Sequence, residues 1–378
     1  ALLKDQGYEV TGVFMKNWSG DNYGIQSECP WIQDQIDAED VCNTLGIPFR
    51  SFNFEKDYRD KVVEYFFLEY EKGRTPNPDV MCNKEIKFKL FLDKSLNEGT
   101  DLIATGHYAR RVFENKYMVK EFDSGVDSVS AENDSIDESY SLLKGVDKNK
   151  DQTYFLYNIT KEQLSKTLFP IGHLTKPEVR ELAKKFKLPN AEKPDSQGIC
   201  FIGEINTLKF LMSRIPIKKG EILDIDNNRV VGVHKGVYFY TIGQRDGLGI
   251  GGQQVPYFVV EKDIAQNILY VGHGTNHPKL LKTEVQLENL HLITPGNKKI
   301  YSPDTQLSAS VRYRQRPQNG KLFIDNKEVN EEAINVLADK PSGQNIKFVF
   351  NEPVRAITSG QSLVLFSGEE CLGGGVIK

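Results

Sequence analysis

Val10-Thr11-Gly12-Val13-Phe14-Met15-Lys16-Asn17-Trp18 is an apolar run that turns polar at its end. Val10 to Met15 reads as a buried strand, and the following residues continue the pattern. Ile36 to Leu45 reads as a helix stopped by Gly46, and Pro48 to Phe54 as a second strand. Asp57 to Lys72 predicts a long helix with Val62, Val63, Phe66, Phe67 and Tyr70 at apolar positions, ended by Gly73. Leu102 to Thr105 is a third strand running into Gly106-His107-Tyr108. Strands separated by helices predict a parallel, doubly wound α/β sheet. Ligands in such sheets sit at the carboxyl ends of the strands, so Met15-Lys16-Asn17-Trp18 and Gly106-His107 should face the ligand.

A chain of 378 residues is too long for one ordinary core. We expect an α/β domain over residues 1–200, a small β-rich linking domain over 201–280 and a C-terminal β-barrel over 281–378. At the start, Ala1 to Gly7 reads as the last turns of a helix with Gly7 as its C-cap, which leads us to expect a strand before Ala1. Residues 121–140 carry seven acidic residues, five serines and no Lys or Arg, and read as a solvated insertion. Thr175-Lys176-Pro177-Glu178 is a capping box that starts a helix, and Val179, Leu182, Ala183 and Phe186 give it one inward face. After Phe201 short strands alternate with turns: Val230 to Val233, Tyr238 to Thr241, Tyr257 to Glu261 and Ile268 to Val271. Pro295-Gly296, Asn319-Gly320 and Gly373-Gly374-Gly375 punctuate a second β-rich block as turns.

Composition excludes several classes. Hydrophobic residues at 39% and charged residues at 26% are ordinary for a globular protein. No apolar run is long enough to span a bilayer, and the start shows no signal-peptide pattern. A net charge of -4 rules out a uniformly basic coat but leaves room for a local basic groove. The cysteines are Cys29, Cys42, Cys82, Cys200 and Cys371. Their odd number and wide spacing argue against a zinc ribbon, a disulfide framework or a closely spaced redox pair, and fit a reducing cytoplasm. No metal-binding residues are assigned.

Several segments carry candidate chemistry. Cys82 lies in Arg74-Thr75-Pro76-Asn77-Pro78-Asp79-Val80-Met81-Cys82-Asn83-Lys84, read as a rigid non-helical loop before a basic helix start. Lys84 and a helix N-terminus would favour a thiolate there; the alternative is a cysteine that only packs. Cys200, in Asp195-Ser196-Gln197-Gly198-Ile199-Cys200, reads on its own as a buried strand cysteine. Lys150-Asp151-Gln152 stands beside Tyr154 and Phe155, and suits either a stacked RNA base or an ordinary helix start. Ser310 to Arg316, read as a strand, aligns Arg312, Arg314 and Arg316 on one face for a phosphate backbone or for solvent. Ser124-Gly125-Val126-Asp127-Ser128 resembles the phosphate loop of ATP pyrophosphatases, but it lies among carboxylates that repel phosphate, and we give it no role.

Together, these segments resemble the tRNA-specific 2-thiouridylases over nearly the whole chain and in the family's order, from Gly12-to-Trp18 and Gly73-to-Phe88 through Ala104-to-Tyr108, Lys150-to-Gln152, Asp195-to-Gly203, Tyr240-to-Arg245 and Arg312-to-Gln315 to Cys371-to-Gly375. The resemblance implies an adenine-nucleotide hydrolase-like first domain and an ATP- and Mg2+-dependent reaction. ATP adenylates the C2 oxygen of a wobble uridine, and sulfur then replaces that oxygen. It implies that Cys200 carries the sulfur as a persulfide received from a cysteine desulfurase or sulfur-relay protein. Cys82 is then the nucleophile that closes a Cys82–Cys200 disulfide. Asp79 stands beside the base, and Asn77, Pro78 and Asp79 contact it; Met15 and Gly106 contact the nucleotide. His107, Lys150, Asp151, Gln152, Arg312, Tyr313 and Gln361 match positions near bound tRNA. A bacterial cytoplasm is implied, or mitochondria in a eukaryote, with no membrane contact. The family's phosphate loop and first strand should precede Ala1, so a chain without them is expected to adenylate poorly; the acidic insertion is no part of the pattern. Two other readings remain, a non-catalytic RNA-binding protein with a β-barrel domain and a thiol-disulfide redox enzyme.

Overall fold

The computed structural model describes residues 1–19, 31–115, 118–121, 139–194, 207–252, 254–334 and 343–378. Cys29, Cys200, the Ser124–Ser128 stretch and the centre of the acidic insertion lie outside the described residues.

The chain opens with the short helix Leu2–Asp5, and Gly7 takes the left-handed conformation expected of a C-terminal cap (φ 90°). Strand β1 (Gly12–Lys16) pairs in parallel with β2 (Phe49–Asn53), Met15 opposite Phe52, after the helix Trp31–Leu45. The long helix runs over Glu55–Tyr58 and Glu64–Glu71 with π-helical turns at Arg59–Val63 between. Its apolar stripe is buried as the sequence predicts, with Val62, Val63, Phe66, Phe67 and Tyr70 all in the core. Next come β3 (Ile103–Ala104), β4 (Ala109–Asn115), β5 (Met118–Glu121), β6 (Ser139–Lys144) and β7 (Thr167–Leu168). β3 pairs in parallel with β7, while β5 and β6 flank β4 in antiparallel fashion. The acidic stretch is thus the connection between β5 and β6, and its ends, Glu121 and Ser139-Tyr140, belong to those strands.

The Thr175 capping box forms, with the Glu178 carboxylate accepting from the Thr175 N–H at 2.7 Å. Val179, Leu182, Ala183 and Phe186 do face inward, but they line an apolar cavity with Leu2 and Leu3 rather than being fully buried.

The linking region contains β8 (Gly220–Asp224), β9 (Val230–His234), β10 (Tyr257–Asp263) and β11 (Ile268–His273), ordered β10-β11-β8-β9 with β11 and β8 parallel. Tyr238 to Thr241 is not the expected strand. Val237–Phe239 is a 3-10 turn, because the Asn267 side chain accepts from the Val237 N–H and Gly236 O from that of Phe239, leaving those N–H groups no need of a ladder.

The C-terminal region contains β12 (Leu281–Leu287), β13 (His291–Leu292), β14 (Leu307–Ser310), β15 (Gln318–Ile324), β16 (Lys327–Glu328), β17 (Ile346–Arg355), β18 (Ser362–Ser367) and β19 (Glu370–Val376). Strands pair along β12-β17-β15-β14-β18-β19, and a Leu287–Ile377 bridge returns to β12 and closes the barrel. Two turn expectations fail here. Asn319-Gly320 lies inside β15, and the glycine run Gly373-Gly374-Gly375 lies inside β19. Glycine is needed in the run for close approach: a Cβ at Gly373 would overlap His291 O, one at Gly374 would overlap Leu363 O, and one at Gly375 would overlap Asn289 O.

β19 also pairs with β6, Cys371 opposite Leu142, so the barrel and the first region share one sheet of eleven strands among the described residues. A single apolar cluster likewise joins the first region to the linking one, from Phe67 and Ile86 to Val259 and Val271, while the barrel has its own core around Leu322, Phe348 and Leu363.

Gly374→Ala tests the packing of β19. The new methyl would also approach Tyr157 Cδ2 at 2.9 Å. The substitution should cost about 2–3 kcal/mol, read as a lower urea midpoint at unchanged slope. Gly251→Ala, where nothing lies within 4 Å, should stay within about 0.5 kcal/mol of the parent.

Candidate active site

The site residues are positioned from two directions, the carboxyl ends of parallel strands and the start of one helix. Met15 is the penultimate residue of β1, and Asn17 and Trp18 are buried just beyond it. Both polar atoms of the Asn17 carboxamide are buried without a hydrogen-bond partner, although only 2% of the residue is exposed. A buried amide left unsatisfied is costly and points to a ligand. Beyond β3, Gly106 is exposed, and nothing lies within 4 Å of where a Cβ would stand. The ends of β1 and β3 thus carry a buried, unsatisfied amide and an open glycine.

His107 is only 7% exposed. It is buried between Phe88 and Phe169, with ring centroids at 5.7 and 6.3 Å, and its Nδ1 shares a hydrogen bond with Thr105 Oγ1 at 2.8 Å. Burial, and secondarily the Lys87 charge, holds its pKa well below that of an ordinary histidine.

The second direction begins at Asn77. Its side chain accepts from the Val80 N–H at 3.3 Å and caps the helix, with Pro78 and Asp79 in the first turn. Cys82 is thus not in a loop before a helix. It is already in the second turn and opens the π-helical segment Cys82–Phe91. The helix dipole fades within the first turn, and Lys84 is exposed while Cys82 is 0% exposed, so neither expected source of thiolate stabilisation is well placed in this conformation. Cys82 packs in the main core. The next residue, Asn83, donates to Phe155 O at 3.1 Å and ties the helix to the Lys150–Phe155 segment.

That segment is a structural knot. The Asp151 carboxylate accepts from Gly145 N at 3.0 Å and from the Thr153 hydroxyl, with burial pushing its pKa up. Gln152 Oε1 accepts from Tyr108 N at 3.0 Å, connecting it to Gly106-His107. Phe155 packs on Tyr313 with centroids 4.4 Å apart, which brings in the barrel.

The arginine strand is the clearest correction. β14 ends at Ser310, and Arg314 has φ 62°, so the three arginines do not share a strand face. Arg312 turns inward: Nη2 donates to Ile242 O at 2.6 Å, Ala356 O at 3.0 Å and Thr358 Oγ1 at 3.0 Å. Arg314 and Arg316 are exposed. Gln361 likewise faces protein, its Nε2 donating to Thr75 O at 2.9 Å and Pro76 O at 3.2 Å. Thr75 and Asn83, which these contacts draw in, carry no local sequence signal.

The structure therefore gathers Asn77–Cys82, Gly106–His107, Lys150–Gln152, Tyr313 and Gln361 into one contact network. No helix among the described residues is long and apolar enough to cross a membrane, and none of their His, Cys, Asp and Glu side chains form a metal-holding group of three.

This is the architecture of an α/β domain joined to a small four-stranded β domain and a C-terminal β-barrel. Residues 1–204 match the family model described as tRNA methyl transferase HUP domain, residues 208–273 the tRNA methyl transferase PRC-barrel domain and residues 282–377 the aminomethyltransferase beta-barrel domain. The tRNA-specific 2-thiouridylase of Streptococcus mutans is 46% identical over all of this chain and 90% of its own length. Those of Streptococcus thermophilus and Streptococcus uberis are 45% identical over the same shares. The chain belongs to the tRNA-specific 2-thiouridylase family.

The burial of His107 has a measurable consequence. Its folded-state pKa is depressed below the unfolded value of about 6.5, so above that value it contributes no pH dependence. As pH falls below it the unfolded state takes up the proton first, and stability is lost until the folded pKa is reached. His107→Gln should flatten this acid slope in urea melts between about pH 6.5 and pH 5; an unchanged slope would show that the ring protonates freely in the fold.

Proposed function

We propose that this chain acts as a tRNA-specific 2-thiouridylase, activating the C2 oxygen of a tRNA uridine with ATP and replacing it with sulfur. Identity of 45–46% across all of this chain and 90% of its relatives' length is the observation that carries this reading. The gathering of distant expected site residues into one network supports it.

In the proposed reaction the uridine oxygen attacks the α-phosphorus of ATP and pyrophosphate leaves. The terminal sulfur of a Cys200 persulfide attacks C2, and AMP departs with the former carbonyl oxygen. The Cys82 thiolate then attacks Cys200 Sγ. The S–S bond to the transferred sulfur breaks, leaving the thione on the base and a Cys82–Cys200 disulfide that an external thiol reduces. A uridine carbonyl is a poor electrophile until its oxygen becomes a leaving group, and a persulfide is a strong nucleophile at neutral pH. Nucleotide binding by Met15 and Gly106 fits the open space at Gly106, and the orphaned Asn17 carboxamide offers a further contact. Magnesium would accompany the nucleotide phosphates. Asn77, Pro78 and Asp79 are assigned to the unstacked base, with Asp79 at its edge. Lys150, Asp151 and Gln152 hold the adjoining segment in shape, and Tyr313 with Phe155 offers an aromatic surface. His107, Arg312 and Gln361 support the tRNA-facing parts from behind. Arg314 and Arg316 are the exposed cations left to meet phosphate. The sulfur comes from a cysteine desulfurase or a relay protein.

Cys200→Ser should leave tRNA affinity within about twofold and abolish 2-thiouridine formation, read by nucleoside mass spectrometry, because removing a covalent carrier eliminates a step rather than a contact. Oxidised parent protein should yield a Cys82–Cys200 linked peptide. Parental thiolation by the serine variant would overturn the assignment of the sulfur carrier.

A further inference from the structure

Gly73-Arg74-Thr75-Pro76 joins the long helix to the helix that carries Cys82 and belongs to no regular element, yet Gly73, Thr75 and Pro76 are buried. It is gripped from two sides. From the barrel, Ser359 O accepts from the Thr75 N–H at 2.9 Å, Gln361 Nε2 donates to the Thr75 and Pro76 carbonyls, and Glu288 pairs with Arg74. From the linking region, Thr241 Oγ1 shares a hydrogen bond with Thr75 Oγ1 at 3.0 Å, and Lys262 Nζ donates to Gly73 O at 2.5 Å and to Tyr240 O at 2.8 Å. The fit leaves little slack: a Cβ at Gly360 would approach Thr75 O at 2.9 Å and Arg74 Cβ at 3.1 Å.

Lys262, on β10, is an odd choice for packing alone. Its ammonium has two backbone carbonyls as acceptors and no carboxylate within ion-pairing distance among the described residues. A half-buried cation without a counter-charge costs stability that an apolar side chain of similar length would not. What the lysine does that a methionine cannot is join two carbonyls from two regions of the chain. One of them, Gly73 O, lies four residues before the Asn77 cap, from which the position of Asp79 and Cys82 follows. Burial accordingly pushes the Lys262 pKa down to about 8.

We propose that Lys262 is a positioning residue for the reaction: by tying Gly73 O to Tyr240 O it fixes the start of the Cys82 helix against the linking region. The catalytic arm of the test rests on the thiolation reading above, whereas the reactivity arm does not.

The test uses the full chain carrying Lys262→Met. Alkylation of the buried Cys82 thiol by iodoacetamide, followed by mass spectrometry, should speed up about tenfold as the helix start opens more often. In thiolation assays kcat should fall about tenfold with KM for tRNA within about twofold, since misplacement by a fraction of an ångström is felt in the chemical step. Lys262→Arg, which retains donors for both carbonyls, should recover most of both effects. Lys282→Met, in the wall of the same cleft but without a bond to the strap, should match the parent. Unchanged alkylation and kcat in a folded Lys262→Met protein would overturn the proposal, as would a loss confined to KM. If that variant does not fold, Thr241→Val removes the neighbouring tether without a charge and is read by the same criteria. A parent protein that never thiolates tRNA would sink the functional reading and leave the alkylation rates to decide the role of Lys262.

Discussion

Thr75 stands where three parts of the chain meet, and its contacts are the constraint on which the site depends. Its N–H, its carbonyl and its hydroxyl each have a partner from outside the first region, Ser359, Gln361 and Thr241. A buried, non-repetitive backbone segment must find hydrogen bonds somewhere. Here it finds them in the linking region and the barrel. The helix whose N-cap, Asn77, lies two residues later inherits its position from them. The C-terminal regions are therefore part of the scaffold of the Cys82 helix, whatever else they contact.

The same economy appears in the sheet. β6 of the first region adds to β19 of the barrel, pairing Leu143 with Glu370 and Leu142 with Cys371. Tyr154 donates to Ser362 O at 2.9 Å on the same side, and Phe155 stacks on Tyr313. The Lys150–Phe155 segment is thereby held between β6 and the barrel. Movement of the barrel as a rigid unit would have to carry this segment with it.

Much of this was legible in the chain, and the failures have physical causes. The helix around Phe67 and the strands around Met15 and Phe52 form where the local pattern predicts them, although β1 is half-buried along its length rather than buried. Ser310 to Arg316 did not. Alternation of arginine with Val311 and Tyr313 is a strand pattern, but the left-handed Arg314 breaks it, and the inward face holds the charged Arg312 rather than solvent. The triple glycine of β19 was misread for a similar reason: close approach between strands asks for the same residue as a turn. Nothing local announces that His107 packs between Phe88 and Phe169 or that Gln361 donates to Thr75 and Pro76, because those segments are distant in the sequence. Cys82 was located in the right segment, though one helical turn further into the helix than its prolines suggested.

The cysteines show why burial alone does not separate chemistry from packing. Cys42 and Cys371 both have thiol pKa values raised by desolvation, as expected of inert packing groups. Cys82 is just as inaccessible, with no exposed surface. What distinguishes it is its setting. Cys371 is locked within β19, facing β6 across a ladder that cannot open without breaking the sheet. Cys82 sits in the second turn of a helix whose start is pinned by hydrogen bonds and a cap rather than by a strand ladder, and it opens a π-helical segment whose backbone bonding departs from the regular α pattern. In the proposed reaction a nucleophile stored in this way stays shielded from oxidation and stray electrophiles until the base enters, and the proposed role of the strap is to set how often the turn opens.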